Sequence, residues 1–112
     1  MGVHNLLDNL IYVELPSDGL QISDDLKALN ETVSNGDDCD VIVDFTKAEI
    51  INSSNISNLL ILRSLVEEQG RQLILCGVST ITKCIFVVAG LAEIFTFIDT
   101  KTAALEAVKN TN

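Results

Sequence analysis

Val41-Ile42-Val43 is a run of three β-branched residues with no polar residue between them. A half-buried strand alternates apolar and polar side chains, so a strand here must be covered on both faces. Such strands lie at the centre of parallel sheets sandwiched by helices. Leu73-Ile74-Leu75-Cys76 repeats the signature. The segment between the two runs carries apolar residues at helical spacing, and strands that alternate with helices place the chain in the α/β class.

The rest of the sequence fills in around these two strands. Val3 to Leu7 and Leu10 to Leu15 read as strands about a turn at Asp8-Asn9, and Pro16-Ser17-Asp18-Gly19 closes the second. Ser23-Asp24-Asp25 reads as a helix start with Ser23 as N-cap, and Leu26, Leu29 and Val33 share one face up to the stop at Asn35-Gly36-Asp37-Asp38. After the strand ending at Asp44, a loop with Ile50-Ile51 leads to Asn52-Ser53-Ser54-Asn55, an N-cap cluster before a helix from Ile56 to about Gln69. Gly70 stops that helix. Ser79-Thr80 starts a third helix that ends at Gly90, Phe95 to Ile98 is a short strand, and Thr100 to Lys109 a terminal helix. The expected architecture is α/β: a four- or five-stranded mixed, mainly parallel sheet with about four helices. The first strand is the odd one, because a short turn joins only antiparallel neighbours. At 112 residues the chain has room for one domain, 1–112, with fraying expected at 1–9 and 110–112.

Sixteen acidic groups against seven basic ones give a net charge of -9. Phosphate backbones are held by Lys and Arg, so nucleic acid is not an expected partner, nor is an anionic membrane surface. The longest apolar stretch, Cys84 to Ala92, is far short of the roughly 18 residues of a membrane span. No basic and then apolar leader opens the sequence, so the expected compartment is the cytoplasm.

Cys39, Cys76 and Cys84 are odd in number and make no C-x-x-C pair, which suggests neither a disulfide framework nor a zinc site. They read as buried thiols. His4 is the only histidine. There is no G-x-S-x-G elbow and no phosphate-cradling glycine loop. No catalyst, cofactor or metal is expected, and Asp44 reads as a loop cap that bonds backbone N–H groups.

From Val41 onward the residues resemble the STAS family, the fold of bacterial anti-sigma factor antagonists. The family pattern is a strand ending in Asp, a short loop, D-S-S-G and a Leu-rich helix. It is matched by Val41-Ile42-Val43-Asp44, by Asn52-Ser53-Ser54-Asn55, and by Ile56, Leu59, Leu60 and Leu62. A Gly and a strand follow at Gly70 and Leu73 to Cys76, and the G-L-x-x-h-F signature at Gly90-Leu91-Ala92-Glu93-Ile94-Phe95. Ile98-Asp99-Thr100 and Ala104 match the closing strand, acidic turn and Ala-centred helix. Asn52 and Asn55 stand where the family has Asp and Gly.

The resemblance implies a regulatory protein-interaction module. In that family a partner serine kinase, itself an anti-sigma factor, docks on the loop and start of the second helix, and phosphorylation of the motif's second serine weakens docking. The matching residue is Ser54, and Asn52, Ser53, Ser54 and Asn55 are the matching docking residues. The family also contains stressosome and lipid-transport subunits, which leaves open a constitutive structural subunit without phosphorylation. The residues add one further expectation. Ile56, Leu59, Leu60, Leu62 and Val66 make one broad helix face for the sheet. Ile61 and Leu65 lie opposite it and are expected to be exposed, for burial by a partner or by a second copy in a homodimer.

Overall fold

The computed structural model describes the backbone of residues 2–7, 9–36, 38–48 and 52–111, and the side chains of 9–36, 38–48 and 52–109. Its elements are β1 (Gly2–Leu7), β2 (Leu10–Glu14), α1 (Gly19–Asn35), β3 (Asp40–Asp44), α2 (Ser53–Glu68), β4 (Leu73–Cys76), α3 (Thr80–Val88), β5 (Thr96–Ile98) and α4 (Lys101–Thr111). The strands form one sheet in the order β1-β2-β3-β4-β5. β2 to β5 are parallel, and β1 pairs antiparallel with β2. The fold is α/β, with a mixed, mainly parallel five-stranded sheet and four helices. Asn9 of the expected β1–β2 turn is described. Asp8 lies outside the described residues, as do Met1, Asp37, the loop residues Ile50 and Ile51, and Asn112. The ends expected to fray carry β1 and the last turn of α4.

β3 is the middle strand and all five of its residues are buried. Its two faces serve different cores, which is why the run has no alternation. Val41 and Val43 join Ile11, Val13 and Leu75 beneath residues such as Leu26, Leu59 and Phe86 of α1, α2 and α3. Ile42 joins Leu10, Tyr12, Ile74 and Cys76 beneath Ala104 and Val108 of α4. Three successive one-step crossovers of the same hand put α1, α2 and α3 on one face of the sheet. The helix after the last strand covers the other. Each fully buried Val, Leu or Ile contributes about 1.5–3 kcal/mol.

α1 starts a full turn before the expected cap. Asp18, not Ser23, is the N-cap, and its carboxylate accepts from Leu20 N at 2.9 Å. Ser23 is buried inside the helix. Asp18 is itself a favoured N-cap residue type, which the reading from Ser23 passes over, and Gln21 Nε2 donates along the helix to Asp25 Oδ1 at 2.7 Å. α2 likewise starts earlier than expected, at Ser53 rather than Ile56, and the remaining helix ends fall within two residues of expectation. Gly70, at φ 69°, closes α2 with its own N–H on Glu67 O at 2.9 Å and Arg71 N–H on Val66 O at 3.1 Å. That pair of bonds needs a left-handed residue, for which Gly is the low-cost choice. Ser79 Oγ accepts from Thr82 N at 3.2 Å at the start of α3, and Thr100 Oγ1 from Ala103 N at 3.1 Å at the start of α4. Among the described residues no helix is long and apolar enough to cross a membrane.

Candidate docking and modification site

Parallel strands end on one side of a sheet, and the helices that follow them begin there, so loops at that side collect exposed backbone N–H groups. The N-terminus of α2 lies at this side, after the central strand. Asn52 is its N-cap: Oδ1 accepts from Asn55 N at 2.9 Å and the main-chain carbonyl from Ile56 N at 3.1 Å. The cap role read across the whole cluster therefore belongs to Asn52 alone. Ser53 and Ser54 are the first two helical residues, both exposed, and their N–H groups have no partner within the helix.

Asn55 departs from the expected docking face. It is helical and wholly buried, and it accepts the Ser23 hydroxyl proton at Oδ1, 2.5 Å away. Its bulk faces α1 rather than a partner, so a direct partner contact is ruled out in this arrangement. Ser23 Oγ also lies 3.3 Å from Ser54 Oγ. Below this contact Asn30 Nδ2 donates to Asn58 O, and Asn58 Nδ2 donates to Ser54 O, both at 3.1 Å. A seam of small polar side chains thus runs between α1 and α2 and ends at Ser54. Asn30 and Asn58 are buried along it.

That seam also corrects the expected exposure of Leu65. At 100° per residue, Leu65 sits two turns beyond Asn58 at nearly the same azimuth, facing α1. It is partly buried and packs on the core, whereas Ile61 is 50% exposed. The expectation treated the sheet as the only surface that α2 covers. Packing against α1 widens the buried arc enough to take in Leu65 and Asn58. Of the apolar pair, Ile61 alone extends the exposed surface along α2.

The sequence reading missed Leu20. It stands at the start of α1 with 79% of its surface exposed. Its neighbour Gly19 approaches the α2 cap closely: a Cβ on Gly19 would lie 3.7 Å from Asn52 Nδ2. The Asp18 N-cap, which puts residue 20 in a helix rather than a loop, is the signal that finds it.

Asp44 is engaged by its own surroundings. Oδ1 accepts Thr46 N at 2.8 Å and Thr46 Oγ1 at 2.5 Å, and Oδ2 accepts the Tyr12 hydroxyl. Burial alone would push its carboxyl up, but the bonds from Thr46 and Tyr12 and the Lys101 charge outweigh it and hold the pKa below the usual value. Tyr12 is pushed well above the ordinary phenol range by burial, then by its bond to Asp44. Lys101 Nζ lies over the Tyr12 ring at 4.1 Å. Gly77, at φ 67°, lets β4 turn past this group, since a Cβ there would meet Thr46 Oγ1 at 2.5 Å. Asp44 therefore ties β2 to the end of β3 and the turn at Thr46.

Cys39 and Cys76 are buried, while Cys84, expected among the buried thiols, is exposed. It lies on the side of α3 that the sheet does not cover.

A family model described as STAS domain matches residues 11–104. No curated protein matches the chain in sequence. Among solved structures, an anti-sigma-factor antagonist (STAS) domain protein from Planctomyces limnophilus superposes with a TM-score of 0.83 at 18% identity, over 96% of each chain. The anti-sigma factor antagonist SpoIIAA in its unphosphorylated form gives 0.81 at 16% identity, over 96% of this chain and 95% of that one. A variant of RsbS from Moorella thermoacetica gives 0.83 at 14% identity, over 97% and 94%. At these identities the likenesses show a shared fold. The match from β2 into α4, the motif running from Asp44 to Ser54 and the sheet they are built on agree, and the chain belongs to the STAS family.

Proposed function

We propose that this chain is a cytoplasmic, non-catalytic regulatory module of the anti-sigma factor antagonist type. A partner serine kinase that is also an anti-sigma factor docks across the N-terminal end of α2, on Leu20, Asn52, Ser53, Ser54 and Ile61. The kinase transfers a phosphoryl group to Ser54, and docking then weakens. The observation that carries this reading is an exposed Ser54 in the first turn of a helix capped by Asn52, next to two backbone N–H groups that have no partner within the helix. A phosphate there meets the positive end of the helix, so the fold tolerates it. On the docking face the same group adds about -1.5 to -2 charge that a partner would have to desolvate. Asn55 and Ser23 hold the α2 terminus against α1 from within.

The test is binding to the kinase by variants. Ser54→Ala should bind as the unmodified chain does and accept no phosphate. Ser54→Asp should bind at least about tenfold more weakly, a difference of about 1.4 kcal/mol. Equal binding by both variants would remove the switch and favour a constitutive structural subunit.

A further inference from the structure

α3 leaves an apolar strip open to solvent. Ile81 is 71% exposed, Val87 64% and Val88 88%, and Cys84 between them is exposed as well. At 100° per residue these four fall within one arc of about 120°, with Cys84 in its middle. Cys84 is also the midpoint of the nine residues of Thr80–Val88.

The strip is therefore self-complementary. Under a two-fold axis through Cys84, an antiparallel copy of α3 sets Ile81 against Val87 and Cys84 against Cys84, the reciprocal pattern an isologous contact requires. Charge points to the same occupant. Two copies of a chain with net charge -9 repel wherever acidic groups face each other. From Gln72 to Ala92 the sequence contains no acidic residue, and its one charged side chain, Lys83, lies 3.9 Å from Asp99.

We propose that the outer face of α3 is a self-association surface, where a second copy of this chain packs antiparallel across Cys84. The contact is separate from the α2 terminus and does not depend on Ser54. A nine-residue helix covers too little surface for an obligate contact, so the dimer is a transient one in reversible exchange with monomer.

Sedimentation of the full chain under reducing conditions, across a concentration series, reads this directly. A monomer–dimer equilibrium is expected. Ile81→Asp and Val88→Asp should each raise its dissociation constant by about tenfold or more, with melting temperature nearly unchanged because both side chains point outward. Ser54→Ala should leave it unchanged. Diamide provides a second measurement: the diazene takes up the two electrons and two protons released when two thiols join. It should give a covalent dimer that disappears in Cys84→Ser, while reduced Cys84→Ser still self-associates. Four results would each overturn the proposal. They are a chain monomeric up to roughly 1 mM, a dimer indifferent to both Asp variants, a crosslink that survives Cys84→Ser, and a monomer whose α3 face is needed only to capture the kinase.

Discussion

The Ser23 hydroxyl of α1 donates to Asn55 Oδ1 of α2 across 2.5 Å, with both residues buried and Ser54 Oγ 3.3 Å away. Among the described residues Asn55 Nδ2 already has no partner. Ser23→Ala therefore leaves a buried amide with neither end satisfied. The expected loss is about 1–3 kcal/mol in urea unfolding. A double variant Ser23→Ala, Asn55→Ala should lose less than the two single losses added together. Additive losses would mean the two side chains do not act as a pair.

Leu59 and Ile61, two residues apart on α2, should behave as opposites. Leu59→Ala removes a fully buried side chain and should cost about 2–5 kcal/mol. Ile61→Ser should change stability by less than about 0.5 kcal/mol and weaken partner binding. Leu65→Ser should fall between them, since Leu65 packs on the core. Thermal unfolding of the three variants checks the order.

Gly70 and Gly77 both have positive φ, but their surroundings differ. A Cβ at Gly70 meets nothing within 4 Å, so Gly70→Ala carries only backbone strain, of about 1–2 kcal/mol. At Gly77 the added methyl collides with Thr46 Oγ1 and approaches Asp44 Oδ1. Gly77→Ala should therefore be clearly the more destabilising in chemical unfolding, and Thr46→Ala should recover part of the difference.

Two groups set opposite pH limits. Asp44 is held below its usual pKa in the fold, so its contribution is present above the unfolded value and is lost as pH falls through the folded one. Tyr12→Phe removes one of the bonds responsible and should move acid unfolding to higher pH. Cys76 is pushed up from 9.0 to about 12, first by burial and then by the Asp44 charge. The fold thus keeps the thiol protonated, and stability should fall as pH rises from 9 to 12. Cys76→Val should flatten that decline, measured by unfolding at a series of alkaline pH values.

The β3 run was legible because two-sided burial leaves a local mark: three β-branched residues with no alternation. Asn52 and Gly70 were legible for a similar reason, since each acts through backbone groups within four residues of itself. Ser23, Asn30, Asn55 and Asn58 were not. Small polar residues read as exposed until α1 is laid against α2, and nothing within a few residues of any of them records that contact. Leu65 was misplaced by the same omission, with the sheet counted as the whole of what α2 covers. Ser23 as an expected cap is a degenerate motif: Asp18 and Ser23 both precede apolar residues at helical spacing, and only the contact of α1 with α2 takes Ser23 out of the running.

The central claim is that Ser54 is the switch. The most direct measurement is fragment mass spectrometry of the chain recovered from its native cells together with its bound partner. The free chain should carry one phosphate, located on Ser54, and the partner-bound chain should carry none. A phosphate on Ser53 or Ser57, or the same Ser54 phosphate in both fractions, would contradict the account.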